Sequence, residues 1–209
     1  MIRVLIADDH TIVRRGLKQL LDHEPQIEVL SEASDGNEVL EFLRRRNVDV
    51  VVLDISMPGK NGLDTLKDIK RLNPRIAVIV LSMHPADQYA VRVLQAGAAG
   101  YITKESAPEE LVAAIRMAYQ GHKYISPVVA ELLADYVQNG ATDEPHKLLS
   151  DREFEVMRSI ASGKGITDIA ERLNLSVKTV STYKSRIIEK TGLLSNADIV
   201  RYAIEHNLL

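Results

Sequence analysis

Asp49-Val50-Val51-Val52-Leu53-Asp54, running on into Ile55-Ser56-Met57-Pro58-Gly59-Lys60-Asn61-Gly62, sets an unbroken aliphatic run between two carboxylates and ahead of a turn-rich loop. A run of this kind, without polar alternation, fits a strand covered on both faces, as in a parallel sheet between helices. Three more runs share the pattern. Ile2-Arg3-Val4-Leu5-Ile6-Ala7 ends in Asp8-Asp9, Ala77-Val78-Ile79-Val80-Leu81 ends in Ser82, and Gly100-Tyr101-Ile102-Thr103 ends in Lys104. In a doubly wound sheet the loops beyond the strands' carboxyl ends form the binding crevice. Three carboxylates, one hydroxyl and one ammonium are therefore expected at one edge.

Helical patterns fill the gaps between these runs. Ile12, Val13, Leu17, Leu20 and Leu21 recur at helical spacing after Asp9, and Ile27 and Val29, with Leu30, make a further strand. Val39, Leu40, Phe42 and Leu43 line a helix closing on Arg44-Arg45-Arg46, whose positive charge suits the negative end of a helix dipole. Leu63, Leu66, Ile69 and Leu72 make the next, ended by Asn73-Pro74. Residues 89–96 make another, stopped by Gly97. Pro108 sits near the first turn of a last helix carrying Leu111, Ile115, Met117 and Ala118, where a missing N–H costs least. The alternation predicts an α/β domain over residues 1–121, a doubly wound five-stranded parallel sheet.

Size and composition agree with a globular chain. Its 209 residues suit one large domain or two small ones, and 45% hydrophobic with 26% charged residues allows a buried core. No apolar stretch approaches the ~20 residues of a membrane span, and the first residues do not read as an export signal. Cysteine is absent, which rules out disulfides and thiolate metal sites and fits a cytoplasmic protein. The net charge of −3 divides as −2 over residues 1–121, −2 over 122–147 and +1 over 148–209. Whole-chain charge thus says nothing about nucleic acid, and local charge must decide.

Residues 122–147 read as a linker with a short helix. Ser126-Pro127 opens that helix, Val128, Val129, Leu132, Leu133 and Tyr136 are its apolar residues, and residues 139–145 have linker composition. From Leu148 the pattern is helical only. Ser150-Asp151-Arg152-Glu153 and Ser195-Asn196-Ala197-Asp198 have capping-box spacing. Between them a helix through Ile169-Ala170-Glu171-Arg172-Leu173 meets a tight turn at Asn174-Leu175, and Ser176 caps the next helix, ended by Gly192. An all-α, four-helix helix-turn-helix domain over residues 148–209 is expected.

The acidic edge suits a divalent cation and a phosphoryl group. Mg²⁺ prefers oxygen ligands and water and takes one or two carboxylates, and a cation relieves repulsion among three like charges. A carboxylate beside it is a plausible nucleophile toward phosphorus, giving an acyl phosphate. Asp54, ending the central strand, is the choice for that role; Lys104 can neutralise phosphoryl oxygens and Ser82 can hydrogen-bond to them. Singly, each residue has a plainer reading, since an Asp-Asp pair before a helix is most often a cap. Four strand ends together make the plainer reading poor. His84, read as a loop residue, has no second ligand at suitable spacing for a transition-metal site.

These residues carry a resemblance. Residues 1–120 resemble a bacterial two-component receiver domain, on Asp8-Asp9, on Asp54-Ile55-Ser56-Met57-Pro58-Gly59-Lys60-Asn61-Gly62, on Ser82, and on Tyr101 with Lys104-Glu105. The resemblance implies phosphate transfer from a histidine kinase to Asp54. It implies Mg²⁺ held by Asp9, Asp54 and the Ser56 backbone carbonyl, with Asp8 acting partly through water. It also implies a switch in which Ser82 swings toward the phosphate while Tyr101 turns inward.

Residues 176–190 carry the case for DNA. Val180, Ile187 and Ile188 fall near one face, leaving Lys178, Ser181, Thr182, Lys184, Ser185 and Arg186 for solvent or ligand, and the segment sums to +3. Cations suit phosphates, and short polar side chains suit base edges in a major groove. Periodicity alone favours a solvated amphipathic helix in a small bundle. Residues 148–209 nevertheless resemble a LuxR-type helix-turn-helix domain, from Leu149-Ser150-Asp151-Arg152-Glu153 through Ser176-Val177-Lys178-Thr179-Val180, and the whole chain resembles a NarL/FixJ-type response regulator. The resemblance implies DNA contacts from Lys178, Thr179, Ser181, Thr182, Tyr183, Lys184, Ser185 and Arg186. Two departures stand out: Gly165-Ile166-Thr167-Asp168 replaces the usual hydroxyl residue and Asn, and Tyr183 replaces a common His.

The expected function is a cytoplasmic, non-enzymatic transcription regulator. Phosphorylation at Asp54 would control homodimerisation, binding to a palindromic double-stranded operator and, with it, RNA polymerase. Ala197, Val200, Ala203 and Ile204 of the last helix are a candidate dimer face, with packing inside the bundle as the equal alternative. Two rivals come from other classes. One is a hydrolase working through an aspartyl-phosphate, against which Asp54-Ile55-Ser56 lacks a second acid two residues on. The other is a signalling module whose last domain binds only protein.

Overall fold

In the computed structural model the Val50-Val51-Val52-Leu53 run is the centre of the sheet. The structure describes residues 1–58, 60–83, 86–139, 144–206 and 208–209. Strands β1 (Ile2–Ala7), β2 (Ile27–Ala33), β3 (Val50–Asp54), β4 (Ala77–Ser82) and β5 (Gly100–Thr103) lie in the order β2-β1-β3-β4-β5, all pairs parallel. They alternate with α1 (Thr11–Asp22), α2 (Gly36–Arg45), α3 (Gly62–Leu72), α4 (Ala86–Gln95) and α5 (Ala107–Tyr119). Every residue of β3 and β4 is buried, which is why their sequences carry no polar alternation. Ile6, Val50, Val52, Ile79 and Leu81 belong to one apolar cluster with Leu111, Ala114 and Ile115 of α5. Each fully buried aliphatic side chain of this kind contributes about 1.5–3 kcal/mol.

The edge strand β2 departs from that pattern. It runs on to Ala33 through the polar Ser31 and Glu32, because one of its flanks is open and its residues are half-exposed. Its register against β1 shifts between Val4 and Leu5, so that Val4 pairs with Val29 while Leu5 pairs with Ser31. Leu30 is the extra residue of that irregularity. On α1 the buried face is Leu17 and Leu21, and Ile12, expected on it, is 86% exposed. Ile12 precedes Val13 by one residue, and a single step turns a helical side chain roughly 100° away. Leu72 and Met117 are likewise exposed rather than core.

Local chemistry closes the elements as the sequence requires. Asp35 caps α2 by accepting from the amides of Asn37 and Glu38 (2.7 and 3.0 Å), and Asn61 caps α3 by accepting from the Asp64 amide (2.7 Å). Gly97 adopts φ +98° after α4, a conformation costly for any side chain. Beyond α5 the chain returns to the sheet, where Tyr124 bridges Gly100 in parallel fashion and its amide donates to the Ala99 carbonyl (2.7 Å). Helix α6 (Pro127–Asn139) follows.

The chain divides into two compact units, Met1–Ala134 and Asp135–Leu209. The boundary falls within α6, inside the stretch 122–147 expected as linker. Of its linker-like end, residues 140–143 lie outside the described residues, while Pro145–Leu148 is a short 3₁₀ turn. His146 of that turn is buried, with Nδ1 2.9 Å from the Tyr202 hydroxyl.

The second unit is built of α7 (Asp151–Ala161), α8 (Ile166–Leu173), α9 (Val177–Thr191) and α10 (Asn196–Glu205), with α7 packed on α8, α9 and α10 and α8 packed on α9. Capping boxes open α7 at Ser150 and α10 at Ser195. The α8–α9 turn is tight because Asn174 takes a left-handed conformation (φ 53°), tolerated by its short polar side chain. Ser176 then caps α9 by accepting from the Thr179 amide (3.0 Å), and Gly192 (φ 71°) ends it.

Candidate functional site

Parallel register brings the four strand ends to one edge. The Ile55 amide donates to the Leu81 carbonyl (3.1 Å) and the Lys104 amide to the Ser82 carbonyl (2.8 Å), which sets Asp54, Ser82 and Lys104 side by side on three adjacent strands. Asp8 follows β1, the other neighbour of β3, and its amide is fixed by the Ala33 carbonyl (3.1 Å). Asp8, Asp54 and Ser82 are fully buried. Lys104 reaches inward so that Nζ lies 2.6 Å from Asp8 Oδ2 and 2.8 Å from Asp54 Oδ2. The Ser56 amide donates to Asp54 Oδ1 (3.1 Å). Tyr101 is buried.

One ammonium serves two buried carboxylates. Burial pushes the Asp54 carboxyl up; Lys104 and the Ser56 amide oppose this, the Asp8 charge adds to it, and the result is a raised pKa. For Lys104 burial is the largest single influence and acts downward, but Asp54 and Asp8 together outweigh it and hold the ammonium above the usual lysine range. The two directions are compatible because Lys104 is shared, so Asp54 never has a full neutralising charge of its own.

The remaining negative charge asks for a cation. Ligand atoms of Asp8, Asp9, His10 and Asp54 all lie within 4.8 Å of one another. Among the described residues, Asp8 Oδ2 and Asp9 Oδ1 are buried without an aligned hydrogen bond; Asp8 Oδ2 has the ion-pair contact with Lys104, and Asp9 Oδ1 the His10 ring, at 2.8 Å. Hard oxygen donors with residual charge and lone pairs unused suit Mg²⁺. His10 was not singled out from the sequence, although it follows Asp8-Asp9 directly; its amide donates to Asp8 Oδ1 (2.8 Å).

The loop after β3 has no room to spare. A Cβ at Gly62 would stand 2.5 Å from Ile55 Cα and 2.9 Å from the Asp54 carbonyl carbon, with the Asp54 carbonyl oxygen closer still. Gly62 therefore permits the loop to fold back on the strand end that carries Asp54. Lys60, from the same loop, forms an ion pair with Asp68.

In the second unit α9 buries Val180 and Ile187, as its periodicity requires. Lys178, Ser181, Thr182, Ser185 and Arg186 are exposed; Thr179, Tyr183 and Lys184 are half-buried. Ser176, Lys178, Thr179, Thr182, Tyr183 and Arg186 line a shallow depression of about 280 Å³. Two hydroxyls are already committed as donors: Thr182 to the Lys178 carbonyl (3.0 Å) and Ser185 to the Ser181 carbonyl (3.1 Å). Each oxygen is left with lone pairs with which to accept. Lys190, counted among the cations of this helix, pairs with the buried Glu153 of α7 (2.6 Å) and belongs to the bundle. On α10 the expected face is divided, Ala203 lying in the core while Ile204 is 60% exposed.

Comparison with known proteins follows the same division. Residues 4–116 match the response regulator receiver domain, and residues 147–203 match the bacterial regulatory proteins of the luxR family. The chain is 39% identical over 209 residues to the response regulator UvrY of Escherichia coli strain K12, covering 100% of this chain and 96% of that protein. It is 39% identical over 215 residues to the oxygen regulatory protein NreC of Staphylococcus epidermidis, covering 99% of each. Among solved structures, RcsB from Salmonella enterica serovar Typhimurium, bound to promoter P1flhDC in the presence of the phosphomimetic BeF3⁻, superposes with a TM-score of 0.69 at 32% identity over 96% of this chain and 97% of that one. With both domain models and full-length relatives in agreement, the chain belongs to the NarL/FixJ-type response regulators, a receiver domain joined to a LuxR-family regulatory domain.

Proposed function

We propose that a histidine kinase phosphorylates Asp54 and that the acyl phosphate controls homodimerisation and binding of the α9 face to a palindromic double-stranded operator, and so access of RNA polymerase. An Asp54 oxygen attacks phosphorus, the bond from phosphorus to the donor histidine nitrogen breaks, and that nitrogen keeps the electron pair. Lys104, 2.8 Å from the Asp54 carboxylate, is placed to move onto a phosphoryl oxygen as that charge arrives. Ser82, on the adjacent strand end, is placed to donate to another. Asp8, Asp9, Asp54 and the Ser56 carbonyl would hold Mg²⁺, which when bound supplies positive charge against the phosphoryl oxygens. Tyr101 and Ser82 couple the phosphate to a shift between pre-existing states.

The observation that carries this reading is the shared Lys104 contact with Asp8 and Asp54 at the buried strand edge. It is a site built to exchange partners. Incubation with acetyl phosphate and Mg²⁺ should give one hydroxylamine-labile phosphate per chain, absent from Asp54→Asn. Label retained in that variant would overturn the assignment of Asp54. Brisk multiple turnover of a chromogenic phosphate monoester would favour the hydrolase instead.

On DNA, Lys178, Lys184 and Arg186 have no carboxylate partner among the described residues, and we assign them to phosphates. Ser181, Thr182, Tyr183, Ser185 and Thr179 are assigned to the groove wall and base edges. Thr182 and Ser185 present lone pairs, which match the amino groups of adenine and cytosine. Modest base discrimination, with affinity supplied by phosphates and dimerisation, follows from these short side chains. Affinity that failed to fall with salt would refute the DNA assignment. No helix among the described residues is long and apolar enough to cross a membrane, and the cytoplasm is the proposed location.

A further inference from the structure

We propose that Arg14 is a positioning residue for phosphorylation, one that holds the peptide between Asp8 and Asp9 so that the Asp9 carboxylate stands ready for the divalent cation. The inference rests on the reading of Asp8, Asp9 and Asp54 as the cation and phosphoacceptor site. A carboxylate kept for a cation is best aimed through its backbone, because donors on its own oxygens would compete with the ion. The backbone at Asp8 is tethered on both sides. Its amide donates to the Ala33 carbonyl (3.1 Å), and Arg14 Nη1 donates to its carbonyl oxygen (2.6 Å). That oxygen belongs to the planar peptide leading into Asp9, so the guanidinium fixes the plane from which the Asp9 side chain starts.

Nothing in α1 itself asks for this cation. Arg14 lies in the opening turn, at the positive end of the helix dipole, where a positive charge is disfavoured. Its neighbour Arg15 is exposed, whereas the Arg14 side chain is only 14% exposed. Glu32 holds it from β2, with Oε2 3.3 Å from Arg14 Nε, and Lys18 stands 3.7 Å from the other Glu32 oxygen. Arg14 Nη2 donates to Thr11 Oγ1 (3.3 Å). The register shift between Val4 and Leu5 is what brings Glu32 to this side. It sets Glu32 opposite Ile6, which lies in the apolar cluster with Leu17 and Leu21 of α1. Without the extra residue Glu32 would stand opposite Ala7 and point to the other face. Bulges beside functional sites commonly re-aim a side chain in this way. The irregularity of β2, the covered guanidinium and the Asp8 carbonyl thus form one chain of contacts ending at the cation site.

The full-length chain tests this with Mg²⁺ alone and then with acetyl phosphate. Arg14→Met should lower the Mg²⁺ affinity measured by calorimetry about tenfold, the scale of losing a group that orients a metal ligand. The Mg²⁺ concentration for half-maximal phosphorylation should rise by the same factor, while the rate at saturating Mg²⁺ changes less than about threefold. Glu32→Gln, which leaves the core intact but loosens the guanidinium, should weaken Mg²⁺ up to about threefold. The double variant should be no worse than Arg14→Met alone, because both act through the one carbonyl contact. Leu20→Ala is the control for lost α1 packing; it should lower the Tm and leave Mg²⁺ affinity unchanged. A lower Tm with unchanged Mg²⁺ affinity in both Arg14→Met and Glu32→Gln, as in Leu20→Ala, would overturn the positioning role. Mg²⁺ binding indifferent to Asp9→Asn would instead overturn the cation-site reading beneath it.

Discussion

Replacing Gly62 with alanine should damage both stability and phosphorylation, for a reason visible in the backbone. The added methyl would lie 2.5 Å from Ile55 Cα and 2.9 Å from the Asp54 carbonyl carbon. Carbon atoms rest comfortably at about 3.5–4.0 Å, so the loop or the end of β3 must move by roughly 1 Å. Neither gives easily, because the Gly62 amide donates to the Ile55 carbonyl (3.0 Å) and β3 is buried along its whole length. Overpacking against a rigid neighbour costs about 1–3 kcal/mol, and obstruction by backbone puts Gly62→Ala near the upper end, about 3 kcal/mol. At about 4 °C per kcal/mol for a domain of this size, the receiver Tm should fall by about 12 °C. A 1 Å displacement of the attacking carboxylate is worth about 10²-fold in rate, so single-turnover phosphorylation from acetyl phosphate should slow by that order. Gly36→Ala is the control, because its nearest obstacle is the Thr65 hydroxyl, a side-chain atom, with Lys60 atoms next at 3.1 and 3.2 Å. Thr65→Ala should rescue part of the Gly36→Ala loss, giving a favourable coupling of about 1 kcal/mol, whereas no side-chain truncation should rescue Gly62→Ala. A Gly62→Ala protein melting within 2–3 °C of wild type (less than about 1 kcal/mol) and phosphorylated at a normal rate would refute the argument.

Three further outcomes follow from the charges. Lys104→Met strips two buried carboxylates of their common cation and should cost about 3–5 kcal/mol without Mg²⁺; melting with and without MgCl2 should show a larger Mg²⁺ stabilisation than in wild type. Glu153 is pulled upward by burial, but Lys190 and both the amide and hydroxyl of Ser150 outweigh this and hold it below the usual carboxylate range. Its stabilisation is therefore complete above the unfolded value of about 4.3 and lost as pH falls through the lower folded value, so acid melting curves of wild type and Glu153→Gln should converge only below the usual carboxylate range. At neutral pH Glu153→Gln should cost about 1.5 kcal/mol, as the charged hydrogen bond with Lys190 is lost while the glutamine oxygen still completes the capping box. On DNA, Lys178→Ala should lower the salt slope by about one, while Lys190→Ala should leave the slope unchanged and lower the Tm of the second unit; a reduced slope in Lys190→Ala would place Lys190 at the phosphates after all.

Most of the receiver was legible because its strands are buried on both faces, so aliphatic runs and the polar residues that end them fall at one sheet edge without ambiguity. The parts that escaped are those where one flank meets solvent. Ser31-Glu32 did not look like a strand, since an edge strand with a register shift needs no apolar alternation. Ile12 looked like core because one residue of phase on a helix cannot be told from apolar spacing over so short a segment. Tyr124, which pairs with Gly100 alone, leaves no pattern at all. His10 is the same kind of case in the functional site. Its meaning lies in distances to Asp8 and Asp9, and adjacency in sequence does not decide whether a ring turns toward them.

Lys190 carries this point furthest. Net charge along α9 counted it with Lys178, Lys184 and Arg186, yet it closes onto Glu153, a carboxylate buried at the start of α7. The capping box at Ser150 and Glu153 was readable from spacing, and a capping glutamate on a helix surface needs no cation. Packing against α9 buries this one, and a buried carboxylate without a cation is costly. Lys190 is thus drawn inward by the fold of the bundle. The cationic face left for a ligand is Lys178, Lys184 and Arg186, in the part of α9 that follows the tight turn. The charge that matters for DNA is what remains after the bundle has neutralised its own buried acid, and only the packing of α7 on α9 tells the two apart.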